Sequence, residues 1–256
     1  MKKIAILAIV ATSTFVACDV VKQAGMDMAN QALSGGSAAA IPSLTQDEAA
    51  GGLKEALVNG VLNGTGALGK VGAFAQNPSL KILLPPEVQS VEKKIRDNYL
   101  LNMAIGKELD KTVDAMNAGA EKSMSLAVPV FKKAIADMSF ADAMKILTGG
   151  QGAATTYLRN SSEATLKTLF EPEVKKALDE VAVAKTWTPV VTKINENKKL
   201  LGLAADIQPD LNKYVTQKAT DALFVEIEKQ ENLIRKDPVS RTSDLLKKAF
   251  DYADKH

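Results

Sequence analysis

Apolar residues recur every three or four positions along almost the whole chain, and this spacing constrains its fold more than any other feature. In one long stretch, Leu211, Val215, Ala219, Leu223 and Ile227 follow one another at helical intervals. Such spacing places apolar side chains on one face of an α-helix, whereas a half-buried strand alternates apolar and polar residues. Alternation is nearly absent, and only residues 80–84 (LKILL) fit an extended segment. The sequence therefore predicts an all-α fold, a single domain of roughly eight to ten helices.

Capping and stop signals divide this pattern into helices. Thr45-Gln46-Asp47-Glu48 fits a capping box, and we expect the first helix to end near Leu62. Further starts are predicted at Pro85-Pro86, Pro129, Ser139, Gly152, Pro172 and Asp210, and stops at Asn98, Gly149-Gly150 and Pro238. The helix that begins after Asp210 is predicted to be the longest.

The N-terminus fits the export signal of a bacterial lipoprotein. Lys2 and Lys3 precede a short apolar run at residues 4–10, too short to span a bilayer. Phe15-Val16-Ala17-Cys18 then resembles a lipobox, although Phe15 departs mildly from the usual Leu, Val or Ile. The alternative is an ordinary secretory signal followed by a chance cysteine. We expect a signal peptide at 1–17, a tether at 18–44 lipidated on Cys18, and a helical domain at 45–256.

Composition excludes several kinds of site. Cys18 is the only cysteine and His256, the last residue, is the only histidine. Serine-histidine catalysis and metal sites built from histidine or cysteine are therefore excluded. Removing Lys2 and Lys3 from the 32 basic residues balances them against the 30 acidic ones, so no electrostatic footprint for nucleic acid remains. We predict no cofactor, no metal and no nucleic-acid partner.

Two motifs resemble known catalytic or binding sequences without meeting their requirements. Residues 64–71 (GTGALGKV) nearly fit a phosphate-binding P-loop, but Val71 stands where the motif needs Ser or Thr, and a helix precedes Gly64 where a strand is needed. We interpret this stretch as a glycine-rich helix stop and loop, and predict no nucleotide. Ser90-Val91-Glu92-Lys93 matches S-x-x-K, but the companion S-D-N and K-T-G motifs are absent.

Carboxylates remain as candidates for acid–base chemistry or for a hard cation. Glu226, Glu228 and Glu231 lie close together on one predicted helix. A solvated acidic face is favoured over a cation site there, because no D-x-D-x-D-G loop is present. Asp110 and Asp114 share a helix face at i, i+4, but this spacing alone does not imply an acid–base site, and the pair Glu121-Lys122 is a slightly better candidate.

A polar cluster around one helix start is the main candidate site. Its members are Asp142, Thr148, Thr155, Arg159 and Asn160, with Arg235 and Arg241 on either side of the Pro238 turn. The helix predicted to begin near Gly152 would offer its amides and the positive end of its dipole to an anion. In the alternative, which we favour, the arginines tie helix ends together through carbonyls or carboxylates.

Methionines are concentrated in one part of the chain. Five of the eight fall between positions 103 and 144: Met103, Met116, Met124, Met138 and Met144. Methionine fills irregular space in cores and suits apolar binding surfaces. Ordinary core packing is the usual outcome, and a pocket for an acyl chain or another apolar ligand is the alternative.

Several separate blocks resemble, in the same order, the bacterial lipoprotein family called domain of unknown function 4197. The resemblance covers about residues 50 to 250, and it implies an exported helical lipoprotein domain without known chemistry. Its blocks are Gly52-Leu53-Lys54-Glu55-Ala56-Leu57, Asn77-Pro78, Leu84-Pro85, Ala120-Glu121-Lys122, Ile146-Leu147-Thr148-Gly149, Ala154-Thr155-Thr156-Tyr157-Leu158-Arg159, Asp210-Leu211-Asn212-Lys213-Tyr214-Val215-Thr216 and Arg241-Thr242-Ser243-Asp244-Leu245-Leu246.

Three classes of function remain open. A structural or protein-interaction module of the cell envelope is favoured, since balanced charge and missing catalytic residues are typical of it. The alternatives are a carrier or sensor for a small amphipathic or anionic ligand, and an enzyme without metal or histidine chemistry. We expect a lipid-anchored, periplasm-facing protein. The outer membrane is slightly favoured from the general look of the family, although Asp19 resembles an inner-membrane retention signal.

Overall fold

The computed structural model describes residues 45–180, 187–188, 191–192, 195–196, 198, 206–207, 210–241 and 243–253. The chain divides into two units, Met1–Ser43 and Leu44–His256, and the first lies outside the described residues. The signal peptide at 1–17, the tether at 18–44 and Cys18 fall there and stay predictions.

Helices form all the regular structure of the described residues, and no strand occurs among them. Besides α-helices they include a π-helical turn at Asn102–Gly106 and 3-10 turns at Met124–Leu126 and Pro238–Ser240. The all-α prediction is confirmed. The α-helices are α1 (Gln46–Leu68), α2 (Pro86–Asp97), α3 (Tyr99–Leu101), α4 (Lys107–Ser123), α5 (Ala127–Ala136), α6 (Phe140–Leu147), α7 (Ala153–Glu180), α8 (Leu211–Lys236) and α9 (Asp244–Ala253).

These elements merge into seven uninterrupted helical runs within the described residues, slightly fewer than the eight to ten predicted. The run from Tyr99 to Ala136 passes Pro129, which lies in the first turn of α5, where a missing N–H costs little. The predicted start at Pro172 is wrong, because α7 continues through it between the fully buried Phe170 and Val174. With 28 residues against the 26 of α8, α7 is the longest single α-helix among the described residues, where the helix after Asp210 was predicted to be the longest.

The glycine-rich stretch after Leu62 belongs to α1. The helix continues through Gly64 and Gly66 and ends at Leu68, with Gly69 at its C-cap. Thr65 and Leu68 are buried, so packing holds the last turns in the helical conformation despite the poor helix propensity of glycine. The prediction of a stop near Leu62 is therefore wrong, and the interpretation of residues 64–68 as a loop with it.

Predicted caps are present at three helix starts. The Thr45 hydroxyl accepts from the Glu48 amide, while the Glu48 carboxylate accepts from the Thr45 amide. Ser139 and Asp142 form the same reciprocal pair at α6. The Asp210 carboxylate accepts from two amides of the first turn of α8. Each cap satisfies amides that would otherwise lack a partner.

Long helices α7 and α8 form the centre of the described structure. They pack against each other, α7 also packs against α4 and α5, and α1 packs against α8, α9 and α5. Phe131 and Phe224 meet edge to face in the core, with ring centroids 5.8 Å apart. All five α8 residues predicted to face inward are buried. The described helices include none long and apolar enough to cross a membrane.

Candidate functional site

Glu231, which we predicted to lie on a solvated acidic face, is instead a buried carboxylate at the start of α7. Its side chain accepts from the Ala154 amide at 3.1 Å, the Thr155 amide at 2.9 Å and the Thr155 hydroxyl at 2.8 Å. The residue is 7% exposed, and Glu226 is equally buried, whereas Glu228 is exposed. The amides that we expected an external anion to use are therefore bonded to a carboxylate of the chain itself.

Arg235 extends this arrangement to a second helix end. Its Nε donates to Glu231 at 2.8 Å, and its terminal nitrogens donate to the carbonyl oxygens of Ile146 at 2.8 Å and Gly149 at 3.1 Å. Those carbonyls lie at the C-terminus of α6, where helical carbonyls lack internal partners. One ion pair thus joins the start of α7 to the end of α6.

Arg241 lies at a third helix end. The residue is buried, and its guanidinium donates to the carbonyl oxygens of Ile234 and Arg235 in the last turn of α8, at 3.3 and 3.0 Å. It also contacts Asp251 of α9 at 3.3 Å and lies over the Phe250 ring. The cation therefore stabilises the negative end of the α8 dipole and attaches α9 to it.

Arg159 lies apart from this network, on the outer face of α7. Its guanidinium stacks 4.3 Å from the Phe224 ring centroid and pairs with Glu163 and Asp221. Lys167, and after it Arg159, holds the pKa of the Glu163 carboxyl below its usual range through hydrogen bonds. Arg159 is thus bound to neighbouring side chains instead of being directed at the start of α7.

The remaining cluster members lie around a cavity of about 470 Å³ beside α6 and α7. Asp142 and Asn160 line it together with Tyr157, whose pKa is raised by burial and by the nearby Asp142 and Asp137 carboxylates. Thr148 is exposed, and its hydroxyl donates to the Met144 carbonyl within its own helix. The structure therefore separates the predicted cluster into a buried network, the stacked Arg159, the exposed Thr148 and two residues that line a cavity.

Asn117 and Glu121, two polar residues of α4, hold the segment after α1 in place. These contacts were not predicted from the sequence. The Asn117 amide accepts from the Ile82 N–H at 2.9 Å and donates to the Ile82 carbonyl at 3.0 Å. Four residues on, the Glu121 carboxylate accepts from the Gly72 and Phe74 amides, both at 3.0 Å. Glu121, our acid–base candidate, is thus bound to backbone. The i, i+4 spacing of Asn117 and Glu121, which places them on one helix face, was the only feature of the sequence that could have indicated these contacts.

A groove of about 370 Å³ lies between this segment and α8, and we call it the Leu83 groove. One wall is the non-helical segment 79–83, with Pro86 and Gln89 of α2 at one end. The other wall is a face of α8, formed by Tyr214, Lys218, Asp221, Ala222 and Val225. Leu83 is 49% exposed and Val225 is 57% exposed, so large apolar side chains of both walls face solvent.

A second exposed apolar surface lies where α3 enters the π-helical turn, and we call it the α3 tip. Its members are Tyr99, Leu100 and Met103, each about three-quarters to two-thirds exposed. The other predicted methionines are in different surroundings: Met116, Met124 and Met138 are core residues. Among the methionines that the structure describes, none lines the Leu83 groove or the cavity beside Asp142.

Metal-binding geometry is not found among the described residues, where no group of three or more histidine, cysteine or carboxylate side chains could hold an ion.

Comparison with known proteins gives one match. The family model described as "Protein of unknown function (DUF4197)" matches residues 43–251, which is most of the chain. No curated protein and no solved structure matches it. The chain therefore belongs to the DUF4197 family of proteins of unknown function.

Proposed function

We propose that this protein is a lipid-anchored module of the bacterial cell envelope that binds another protein through the Leu83 groove. The observation that carries the proposal is the groove itself, where Leu83 and Val225 expose apolar area on two opposed walls. Exposed apolar surface flanked by polar groups is typical of interaction sites. Two arginines of the predicted polar cluster support this choice indirectly, since Arg235 and Arg241 are bonded to carbonyls at helix ends.

The interaction is tested with the full chain in its native host. Cells producing the wild type, Leu83→Asp or Val71→Asp are treated with a short-range chemical cross-linker, and the protein is purified with its attached partners. Val71 is 97% exposed and lies away from the groove lining, which makes it the matched control. We expect the wild type and Val71→Asp to retain the same partner, and Leu83→Asp to lose it. Equal recovery from all three would refute the groove as the binding surface.

The anchor is the second part of the proposal and rests on the Phe15-Val16-Ala17-Cys18 sequence. Acylation of Cys18 by more than one chain would hold the domain stably on a membrane, facing the periplasm, with the outer membrane favoured. Intact-mass analysis of the purified mature protein should show diacylglyceryl and acyl masses on an N-terminal Cys18. Cys18→Ala should lack them and leave the membrane fraction. An unmodified Cys18 in the wild type would refute the anchor.

A second candidate function is carriage of a small polar or amphipathic ligand in the cavity beside Asp142, Tyr157 and Asn160. Its volume of about 470 Å³ lies within the range of small-molecule sites. Native mass spectrometry of the mature protein tests this function. A reproducible extra mass that is lost in Asn160→Trp, which fills the cavity, would favour it, and an unchanged extra mass would place the ligand elsewhere.

A further inference from the structure

We infer that the Leu83 groove takes its partner as an extended peptide, paired with the backbone of Leu83 and bearing acidic side chains between apolar ones. The inference rests on the proposed function and adds the form and charge of the segment that is bound. Three features carry it: an unpaired backbone edge, apolar walls, and two exposed lysines that form no ion pair within the described residues, one of which, Lys218, lies over the Tyr214 ring.

Residues 81–83, between a turn at Leu80 and a bend at Leu84, share two features with a strand that has one edge occupied. Burial alternates from residue 81 to residue 84, since Ile82 and Leu84 are buried while Lys81 and Leu83 are exposed. Both backbone groups of Ile82 are bonded to the Asn117 side chain, as a neighbouring strand would bond them. The occupied edge therefore faces α4.

The opposite edge is open. In an extended chain successive residues direct their N–H and C=O groups to opposite sides. Leu83 accordingly presents its pair away from Asn117, and neither group bonds to another residue in the part of the chain that the structure describes. An incoming strand satisfies these groups as in β-strand addition, the mode by which peptide backbones supply affinity at exposed edges.

The apolar walls set which side chains of such a peptide are buried. Leu83 and Val225 lie on opposite walls, and Ala222 and Tyr214 belong to the α8 wall together with Val225. Every second residue of an extended peptide points to the same side, so alternate residues contact these walls and the intervening ones face the rim. The groove therefore favours apolar residues at every second position.

Charge at the rim selects the intervening residues. Lys81 and Lys218 are exposed and make no ion pair with any described carboxylate. The one carboxylate of the groove, Asp221, is bonded to Arg159 and Gln217. The rim is therefore positive, and acidic residues of the peptide complement it.

The probe is a pool of octapeptides in which glutamate alternates with Val, Ile, Leu or Phe, compared with a matched pool in which lysine replaces glutamate. Binding to the full mature chain in detergent is measured by fluorescence anisotropy. We expect the glutamate pool to bind and the lysine pool to bind at least tenfold more weakly. Lys81→Glu and Lys218→Glu should each weaken binding of the glutamate pool by about threefold, as for single rim charges.

Pairing with the backbone is tested by removing single donors. Leu83→Pro deletes the free N–H of residue 83 and shortens its side chain, and proline also favours the extended conformation at Ile82. Leu83→Val keeps the N–H and is the matched control. We expect Leu83→Pro to lose roughly tenfold in affinity and Leu83→Val to change little. On the peptide, N-methylation of one alternating set of amides should abolish binding while methylation of the other set is tolerated, a readout that does not depend on how Leu83→Pro folds.

The outcomes separate this inference from the proposed function. Equal binding of the two pools, or equal effects of the two methylation patterns, would overturn the extended acidic peptide. If the glutamate pool fails while the cellular partner is still lost in Leu83→Asp, the inference is wrong and the proposed function stands. If the glutamate pool fails and Leu83→Asp also keeps its cellular partner, both the inference and the proposed function are wrong.

Discussion

At the scale of single residues, three charged side chains, Glu231, Arg235 and Arg241, are bonded to backbone groups at helix ends. Glu231 accepts from amides at the start of α7, Arg235 donates to carbonyls at the end of α6, and Arg241 donates to carbonyls at the end of α8. Isolated buried charge is costly, but these groups satisfy backbone polar atoms that would otherwise be unpaired in the interior. The charged side chains therefore stabilise the helix ends, and the backbone groups of the helix ends stabilise the buried charges.

Replacement of Glu231 measures the strength of this arrangement. Glu231→Ala leaves two amides and a hydroxyl without their acceptor and Arg235 without its carboxylate, so we expect a loss of about 3–5 kcal/mol in the free energy of unfolding. Glu228→Ala, at an exposed position on the same helix, should change stability by at most about 0.5 kcal/mol. Urea denaturation followed by circular dichroism compares them. Similar small losses in both variants would contradict a bonded, buried Glu231.

The Glu163 carboxyl gives a prediction about pH. Because Lys167 and Arg159 depress its folded-state pKa, its stabilisation is present above the unfolded pKa of about 4.3 and is lost as pH falls through the folded value. Glu163→Gln should cost about 0.5 kcal/mol at pH 7, and the difference from wild type should shrink as pH falls below 4. Glu171→Gln, at an exposed site on α7, is the control. A difference that stays constant with pH would show that the ion pairs contribute nothing.

At the scale of helices, local signals in the sequence predicted some boundaries and failed at others. The caps at Thr45, Ser139 and Asp210 were predictable because each depends on residues within one turn. The continuation of α1 through its glycines and of α7 through Pro172 was not, since buried neighbours on distant helices outweigh helix propensity there. The bonds of Glu231 escaped prediction for the same reason, because Thr155 is 76 positions away.

Gly52 lies where α1 and α9 pack so closely that there is no room for a side chain. A Cβ there would lie 2.8 Å from the Leu245 carbonyl oxygen and 2.8 Å from the Ala249 Cβ, so α1 and α9 could not approach as closely. We expect Gly52→Ala to cost about 1–3 kcal/mol of unfolding free energy. Gly66→Ala, in the same helix with open space around it, should instead stabilise by about 0.5–1 kcal/mol. Chemical denaturation of both variants gives the comparison. A gain in stability for Gly52→Ala would contradict the close contact.

Asn117 offers a test of how the groove wall is held. Asn117→Ala removes both bonds to Ile82, so amides between positions 72 and 84 should exchange with deuterium faster while α7 and α8 keep their protection. Asn160→Ala, an exposed asparagine outside this contact, should leave the exchange pattern unchanged. Hydrogen exchange with mass-spectrometric readout covers both. Uniform acceleration along the chain would indicate global destabilisation instead of a local release.

At the scale of the whole molecule, the protein combines a proposed membrane anchor, predicted from the sequence, with a groove found in the fold. The all-α class and the family followed from the pattern of the chain. The groove did not, because it depends on how α4 holds segment 80–84 against α8, and sequence spacing carries no information on that contact. Residues 80–84 (LKILL) were predicted to be extended. Their alternating burial agrees with this prediction, although no strand forms in the described residues.

The most direct test of the groove as the binding surface is site-specific photo-cross-linking in growing cells of the native host. A photoreactive phenylalanine analogue replaces Leu83 in one strain and Tyr99 of the α3 tip in another. Cross-linking then identifies the protein that lies next to each exposed apolar surface. The account predicts that position 83 yields a discrete protein adduct and that excess glutamate-pool peptide suppresses it in isolated envelopes. An adduct from position 99 alone, or from neither position, would contradict it.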